Sequence, residues 1–186
     1  MGMPELAKIW TRDEVLALPD DGNRYELVDG ELLVSPSPRS RHQRAVWDLH
    51  LIVAPYVERH RIGITGMAPV DLDLKTGQLM QPDLFVAGLV SGRKPAEWPE
   101  YPIPLLVVEV LSPSTARYDR ITKRGRYQRS RVEDYWIIDG DARIIERWRP
   151  DDQRPEIVTG LIAWQPWPEI PALEIDLAGF FDKVWE

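Results

Sequence analysis

The chain has 186 residues, 44% of them hydrophobic, which is enough for a folded protein with a sizeable core and excludes wholesale disorder. It contains no cysteine, which excludes a disulfide scaffold, a thiolate zinc site and a cysteine nucleophile. No apolar run approaches the roughly 18 residues of a membrane span, and charges follow the N-terminus too closely for a signal peptide. We therefore expect one domain over residues 1–186 of a cytoplasmic protein without membrane attachment.

The net charge of −7 argues mildly against a passive nucleic-acid coat, but the charge is unevenly distributed. Residues 117–131 carry seven arginine and lysine residues against one acid, Asp119. A smaller basic group, at residues 39–44, lies upstream. Such concentration indicates an anionic partner, although a solvated helix face is an open alternative.

The first third of the chain predicts a helix, a hairpin and a second helix. Thr11 and Glu14 have the spacing of a capping box, which predicts a short helix over about 12–18. Asp29-Gly30 divides residues 25–34 into two strand-like runs, which is typical of a hairpin. A second capping-box spacing begins at Ser40 and predicts a helix over about 41–58 that Pro55 should kink or shorten.

The rest of the chain predicts several strands and one further helix. The predicted elements are a hairpin of strands 68–74 and 79–87 around 75–77, a surface loop over 88–104, a buried strand over 105–111, a helix over 117–131 with Tyr118 and Ile121 on its inner side, a hairpin of strands 134–139 and 143–149, a strand near 173–175 and a closing turn over 177–181. This order predicts a mixed α/β domain around one sheet.

Glu109 is the most unusual residue, because it lies inside the apolar run 105–111. An ionised carboxylate buried there without a partner would cost several kcal/mol. Three explanations stay open: a metal ligand, a partner for an arginine, or a strand end that reaches water.

Pro82-Asp83 precedes another apolar run and is the second unusual feature. Proline cannot donate to a sheet, so it implies an edge or a bulge that would aim Asp83 away from ordinary strand pairing. Two carboxylates brought together repel unless a divalent cation or a proton separates them, and oxygen ligands suit Mg²⁺ or Mn²⁺. Asp83 with Glu109 is therefore a candidate metal site.

For each of three other residues, two interpretations stay open. Lys123, four residues after Asp119, is either half of an exposed ion pair or an ammonium group near the metal. Glu26, within the first hairpin, is a possible third carboxylate or an exposed strand residue. His42, near a helix start beside arginines, could contact phosphate, although a structural role is the more common one for such a histidine.

Six segments in order resemble the Uma-two family, a group of restriction-endonuclease-like proteins. They are RYELVDGELLVSP (24–36), APVDLDL (68–74), QPDLFVAG (81–88), LLVVEVLSPST (105–115), D-x-x-x-K-x-x-x-Y (119–127) and EDYWIID (133–139). The resemblance covers about residues 11–181. The family resembles a branch of the PD-(D/E)XK nuclease superfamily, whose αβββαβ core has a mixed central sheet flanked by helices. This chain would add an N-terminal hairpin and C-terminal strands.

The resemblance implies a site residue by residue. Asp83 would be the acid of the "PD" half and Glu109 the acid of the second half. Leu111 stands where the superfamily has its lysine, and in this family the lysine looks to have moved to the following helix, as Lys123. Beyond the resemblance, we expect Asp83, Glu109 and the Val110 carbonyl to bind Mg²⁺ or Mn²⁺, with Glu26 as a further catalytic carboxylate.

These features together predict a metal-dependent endonuclease, acting as a homodimer, that hydrolyses DNA. The residues expected to hold nucleic acid are Arg120, Arg124, Arg126, Arg41 and His42. Two alternatives remain. One is a catalytically silent module that binds nucleic acid or a protein partner, which the leucine at 111 favours. The other is a structural protein whose buried carboxylates pair with arginines.

Overall fold

The computed structural model describes residues 8–36, 38–74, 78–96 and 100–185. The first half contains α1 (Arg12–Leu16), β1 (Arg24–Val28), β2 (Glu31–Ser35), α2 (Ser40–Arg59), β3 (Gly63–Met67), β4 (Leu84–Gly88) and β5 (Leu106–Val110). The second half contains α3 (Ala116–Tyr118), a π-helical turn (Asp119–Lys123), α4 (Arg124–Arg129), β6 (Asp134–Asp139), β7 (Ile144–Trp148), β8 (Glu156–Val158), β9 (Leu161–Trp164), β10 (Leu173–Asp176) and α5 (Leu177–Trp185). We call the continuous helical segment 116–129 the basic helix.

A six-stranded mixed sheet in the order β3-β4-β5-β6-β7-β8 forms the centre of the fold. Its central strands β5 and β6 are parallel, and the other neighbours are antiparallel. The chain order from α2 to β6 is αβββαβ, which confirms the predicted restriction-endonuclease-like core. The β1–β2 hairpin and the β9–β10 pair are the N-terminal and C-terminal additions.

Apolar residues cover both faces of this sheet. One face packs against α2 and α5 through a cluster that includes Leu49, Val108, Trp136 and Phe181. The opposite face packs against the first hairpin and the basic helix through residues 28, 33, 107, 127 and 137. Every residue of β5 is buried, as its continuous apolar sequence predicts.

The capping box at Thr11 and the hairpin at Asp29-Gly30 are confirmed. The Thr11 side chain accepts from the Glu14 amide, and the Glu14 side chain accepts from the Thr11 amide. Asp29 and Gly30 have φ values of 51° and 84°, the positive pair that a two-residue hairpin turn requires.

Two predictions about α2 are wrong. Ser40 is the first helical residue rather than the cap; Arg39 precedes it, and no side chain caps the helix. The prediction that Pro55 shortens the helix is wrong, because the helix continues past it to Arg59, whereas the predicted kink stays a prediction. Proline removes only one hydrogen bond, and the buried side chains on both sides of it hold the last turns against the core.

The predicted hairpin before β5 is also wrong in its first strand. The strand that pairs with β4 is β3, and the described residues between β3 and β4 form no regular strand but isolated bridges of Leu72 with Met80 and of Leu79 with Leu27. Pro69 and Pro82 cannot donate to a ladder, which keeps both ends of this connection out of the sheet. The predicted turn at 75–77 lies outside the described residues.

Gly63→Ala is expected to destabilise the protein because β3 and β4 approach closely at this glycine. A Cβ at position 63 would lie 1.8 Å from the backbone oxygen of Ala87, so the strands would have to separate. We expect a loss of about 1–3 kcal/mol in the free energy of unfolding, measured by urea denaturation. Gly160→Ala is the control, because a Cβ there meets nothing within 4 Å. Equal stability of the two variants would contradict the prediction.

The later elements are partly as predicted. The β6–β7 hairpin and the strand at 173–176 are confirmed, whereas the closing turn is the helix α5, and β8 and β9 were not predicted. The predicted loop 88–104 begins one residue later, because Gly88 ends β4, and the described residues of 89–104 form no helix or regular strand. None of the helices in the described ranges is long and apolar enough to cross a membrane.

Candidate active site

Asp83 and Glu109 lie side by side at one end of the sheet. β4 and β5 are paired with Leu84 opposite Val108, and the same register carried one residue further places Asp83 opposite Glu109. The Val110 amide donates to Asp83 Oδ2 at 2.8 Å, which ties the Asp83 carboxylate to β5. Both carboxylates line the same cleft.

Lys123 joins Glu109 to two further carboxylates. Its Nζ lies 3.0 Å from Glu109 Oε1, 3.0 Å from Glu26 Oε2 and 3.5 Å from Asp119 Oδ1. Lys123, Glu109 and the other two carboxylates each expose 2% or less of their surface. The alternatives of an exposed Asp119–Lys123 pair and an exposed Glu26 are therefore wrong. We call these four residues the lysine cluster.

The buried face of the basic helix carries charged residues beside this cluster. The buried positions are Asp119, Lys123 and Tyr127, which are four residues apart, whereas Ile121 is 56% exposed. The prediction that Ile121 faces inward is wrong, because ion pairs and hydroxyl groups rather than an apolar stripe hold this face. Tyr127 donates to Glu109 Oε1 at 3.2 Å, and Tyr135 donates to the Asp119 carbonyl at 3.0 Å.

Asp83 is held by cationic and polar partners from two other elements. Arg24 of β1 donates to Asp83 Oδ1 at 3.0 Å, and His42 Nε2 of α2 lies 3.0 Å from Asp83 Oδ2. Burial alone would raise the pKa of Asp83, but the His42 hydrogen bond and the charges of His42, Arg24 and Lys123 lower that pKa to about 2. Asp83 is therefore a stable carboxylate.

The environment of Glu109 has the opposite effect. Burial raises the pKa of Glu109 well above its ordinary value; Lys123 opposes this rise, and the neighbouring carboxylates of Asp83, Asp119 and Glu26 increase it. The positive charge near the Glu109 carboxylate is therefore too small to offset the cost of burying that carboxylate in its ionised form. Two neighbouring acids whose pKa values are pushed apart are a common sign of a functional site.

The residues present fit a divalent cation that is completed by water and substrate. Four buried carboxylates (Glu26, Asp83, Glu109 and Asp119) face two permanent cations, Lys123 and Arg24, so the site has an excess of negative charge. Asp119 Oδ1 has no hydrogen-bond donor among the described residues. No three histidine or acidic side chains in the described ranges converge as a ready-made metal cage. Mg²⁺ commonly binds one or two carboxylates together with water and substrate phosphates, which suits Asp83 and Glu109.

Asp83, Glu109 and Asp119 line a cleft of about 1000 Å³. Arg39 and Arg41 of the segment that begins α2 line one wall, and Ser112, Ser114 and Thr115 line another. Both arginines are exposed, and neither forms an ion pair with any residue that the structure describes. They are therefore available to an anionic ligand.

The three arginines predicted on the basic helix have partners within the protein. Arg120, which lines the cleft, lies 2.7 Å from Asp139 and 2.6 Å from Glu146. Arg124 stacks 4.6 Å over the Trp148 ring, and Arg126 lies 3.5 Å from Asp29. These side chains thus tie the helix to β6, β7 and the first hairpin. Their role in binding nucleic acid stays a prediction.

Two residues of the site were not singled out by sequence reasoning. Arg24 and Tyr127 hold Asp83 and Glu109, respectively. Their spacing was the available signal, because residues two apart on a strand or four apart on a helix lie on the same face. Arg24 is two residues before Glu26 on β1, and Tyr127 is four residues after Lys123 on the basic helix.

Fold and site together define a mixed α+β protein with a restriction-endonuclease-like core and buried acids beside a lysine. The sequence profile of the Uma2 family, described as "Putative restriction endonuclease", matches residues 12–178. The chain therefore belongs to the Uma2 family.

A solved structure supports the fold. The crystal structure of a protein titled "a putative nuclease belonging to DUF820 from Anabaena variabilis ATCC 29413" is similar to 94% of this chain and 99% of that chain, with a TM-score of 0.72 and 18% sequence identity. At that identity the likeness shows the fold alone. Among curated proteins, none matches the chain.

Proposed function

We propose that this chain is a metal-dependent endonuclease that hydrolyses DNA phosphodiester bonds in the cytoplasm, with one nuclease domain over residues 1–186. The observation that carries the proposal is the lysine cluster beside Asp83 in the cleft, with Lys123 Nζ 3.0 Å from Glu109. The description of the family as "Putative restriction endonuclease" supports the same activity.

Each residue of the site has a proposed role. Asp83 and Glu109 would hold Mg²⁺ or Mn²⁺, with the Val110 carbonyl as a further oxygen ligand. When bound, the cation neutralises the scissile phosphate and lowers the pKa of water. Lys123 would orient the attacking water and offset negative charge that develops on the phosphate. Glu26 and Asp119 would keep the Lys123 ammonium charged and in place.

The same site could serve a second function, a catalytically silent nucleic-acid-binding module. Two observations favour it. Leu111 replaces the superfamily lysine, and partners within the protein already engage both oxygens of Asp83. A silent module has no need to bind Mg²⁺ or Mn²⁺, so a metal-dependent rise in melting temperature would favour the nuclease.

The deciding experiment is cleavage of supercoiled plasmid with Mg²⁺, with Mn²⁺ and with EDTA. We expect nicked and linear DNA only when metal is present, and no products from an equally purified Asp83→Asn variant. A homodimer is also proposed, because cutting both strands requires two matched sites, and linear product formed without a nicked intermediate would support it. Intact plasmid in every metal would contradict the nuclease.

Arg39→Ala with Arg41→Ala is expected to weaken DNA binding and to reduce its salt dependence. These two exposed arginines line the cleft and have no ion-pair partner in the described ranges. The plot of log K against log salt has a negative slope, and each arginine–phosphate interaction removed should make this slope about one unit less steep. Fluorescence anisotropy at several salt concentrations measures this slope. Arg59→Ala, the same charge change at the far end of α2, is the control. An unchanged slope in the double variant would contradict the prediction.

A further inference from the structure

A second, smaller pocket opens directly beside the carboxylates. Its volume is about 300 Å³, and Arg24, His42 and Asp83 belong to the walls of both this pocket and the main cleft. If one group of a ligand is held at Asp83 in the cleft, the group attached to it would therefore lie next to this pocket.

The lining of the second pocket is mostly apolar and includes an exposed tryptophan. Gln43, Val46 and Trp47 of α2 line it together with Met67, which ends β3, and the adjoining Ala68. Trp47 is 54% exposed, and His50, with a ring centroid 6.1 Å away, is its ring neighbour among the described residues. The core contacts of α2 are made by other residues, such as Leu49 and Val53, so Trp47 is not required there.

A nucleobase matches this pocket in shape and chemistry. Aromatic side chains bind unstacked bases through their π faces, and a glutamine amide can hydrogen-bond to base edges. The scissile phosphate would lie at Asp83, so the base attached to the adjoining sugar would reach Trp47. Within a continuous duplex both faces of a base are covered by its neighbours, and the base enters such a pocket only after it leaves the stack.

We propose that Trp47 and the pocket around it bind one unstacked nucleobase next to the scissile phosphate. The preferred substrate is accordingly DNA that is single-stranded or carries an unpaired base at the cleavage point. This inference rests on the proposed nuclease function, because that function places the phosphate at Asp83.

Binding of labelled oligonucleotides in EDTA tests the pocket without cleavage. The two probes are single-stranded oligothymidylate and an oligomer of equal length made of abasic residues. We expect Trp47→Ala to raise the Kd for oligothymidylate by about tenfold and to leave the Kd for the abasic oligomer nearly unchanged. Trp47→Phe, which keeps a stacking ring, should recover most of the affinity.

Trp167→Ala is the matched control, because Trp167 is an exposed tryptophan that does not line the pocket. It should change neither Kd. An equal effect of Trp47→Ala on both probes, or no effect on either, would overturn the proposal, as would failure of the parent to bind oligothymidylate. A dimer that becomes a monomer in Trp47→Ala, with unchanged Kd, would assign Trp47 to a subunit interface and also overturn it.

Plasmid cleavage separates this inference from the proposed function. If the parent cleaves plasmid with metal but Trp47→Ala binds oligothymidylate as the parent does, the base pocket is wrong and the nuclease stands. If the parent cleaves nothing yet shows base binding that depends on Trp47, the nuclease is wrong and the pocket is supported as part of a binding module.

Discussion

Glu109→Gln is expected to reduce DNA cleavage by about 10²–10³-fold without loss of stability. The variant lacks one of the two carboxylates proposed as metal ligands. The cation that would neutralise the scissile phosphate should therefore bind less tightly. Stability should be equal or higher, because burial already raises the pKa of Glu109 and a neutral amide avoids the cost of a buried charge. Tyr127 can still donate to the amide oxygen of the glutamine.

The measurement combines the initial rate of plasmid cleavage with urea denaturation of the same preparation. Glu169→Gln, an exposed glutamate between β9 and β10, is the control and should change neither quantity. Cleavage at the parent rate would remove Glu109 from the proposed metal site. A large loss of stability would show that its charge mainly holds Lys123 in place.

Lys123→Met is expected to lower the free energy of unfolding by about 3–5 kcal/mol and to abolish cleavage. The variant leaves three carboxylates, two of them within 3.0 Å of the missing ammonium and the third at 3.5 Å, buried without that cation. Lys123 is itself buried, and its pKa is raised well above the ordinary value because the carboxylates outweigh the effect of burial. Removal of Lys123 should therefore affect the fold as well as cleavage.

Denaturation of two further variants tests the electrostatic origin of this loss. Adding Glu26→Gln to Lys123→Met should recover part of the stability, since one uncompensated charge is removed. Lys94→Met breaks an exposed pair with Glu58, whose side chains are 54% and 70% exposed, and should cost less than about 1 kcal/mol. Adding Leu111→Lys to the stabilised double variant tests the catalytic role. Recovery of cleavage would place both positions at one site, whereas cleavage in Lys123→Met at the parent rate would exclude Lys123 from catalysis.

Much of the site could be predicted because its two acids stand out locally. Glu109 interrupts a continuous apolar strand, and Pro82 marks the place where Asp83 leaves regular pairing. Neither signal depends on what packs nearby, so each can be read from adjacent residues. Their neighbouring positions then follow from the pairing of β4 with β5.

The partners of these acids could not be predicted in the same way. Arg24, His42 and Lys123 come from the first hairpin, from the helix that precedes the sheet and from the helix between β5 and β6. The basic helix shows the difficulty most clearly, because its buried face carries Asp119 and Lys123 while Ile121 is exposed. A pattern of apolar residues cannot predict a face that ion pairs hold.

The sequence by itself determined the local elements of this protein, including the capping box at Thr11, the turn at Asp29-Gly30 and the buried strand β5. Each is encoded in the residues that form it, through hydrogen bonds or apolar contacts a few residues apart. Only the tertiary structure decided that β3 pairs with β4, that Lys123 is buried among three carboxylates and that Arg120 is bound by two acids. These outcomes depend on burial and charge supplied by distant segments, because the cost of a buried ion is set by whichever partners the fold brings to it.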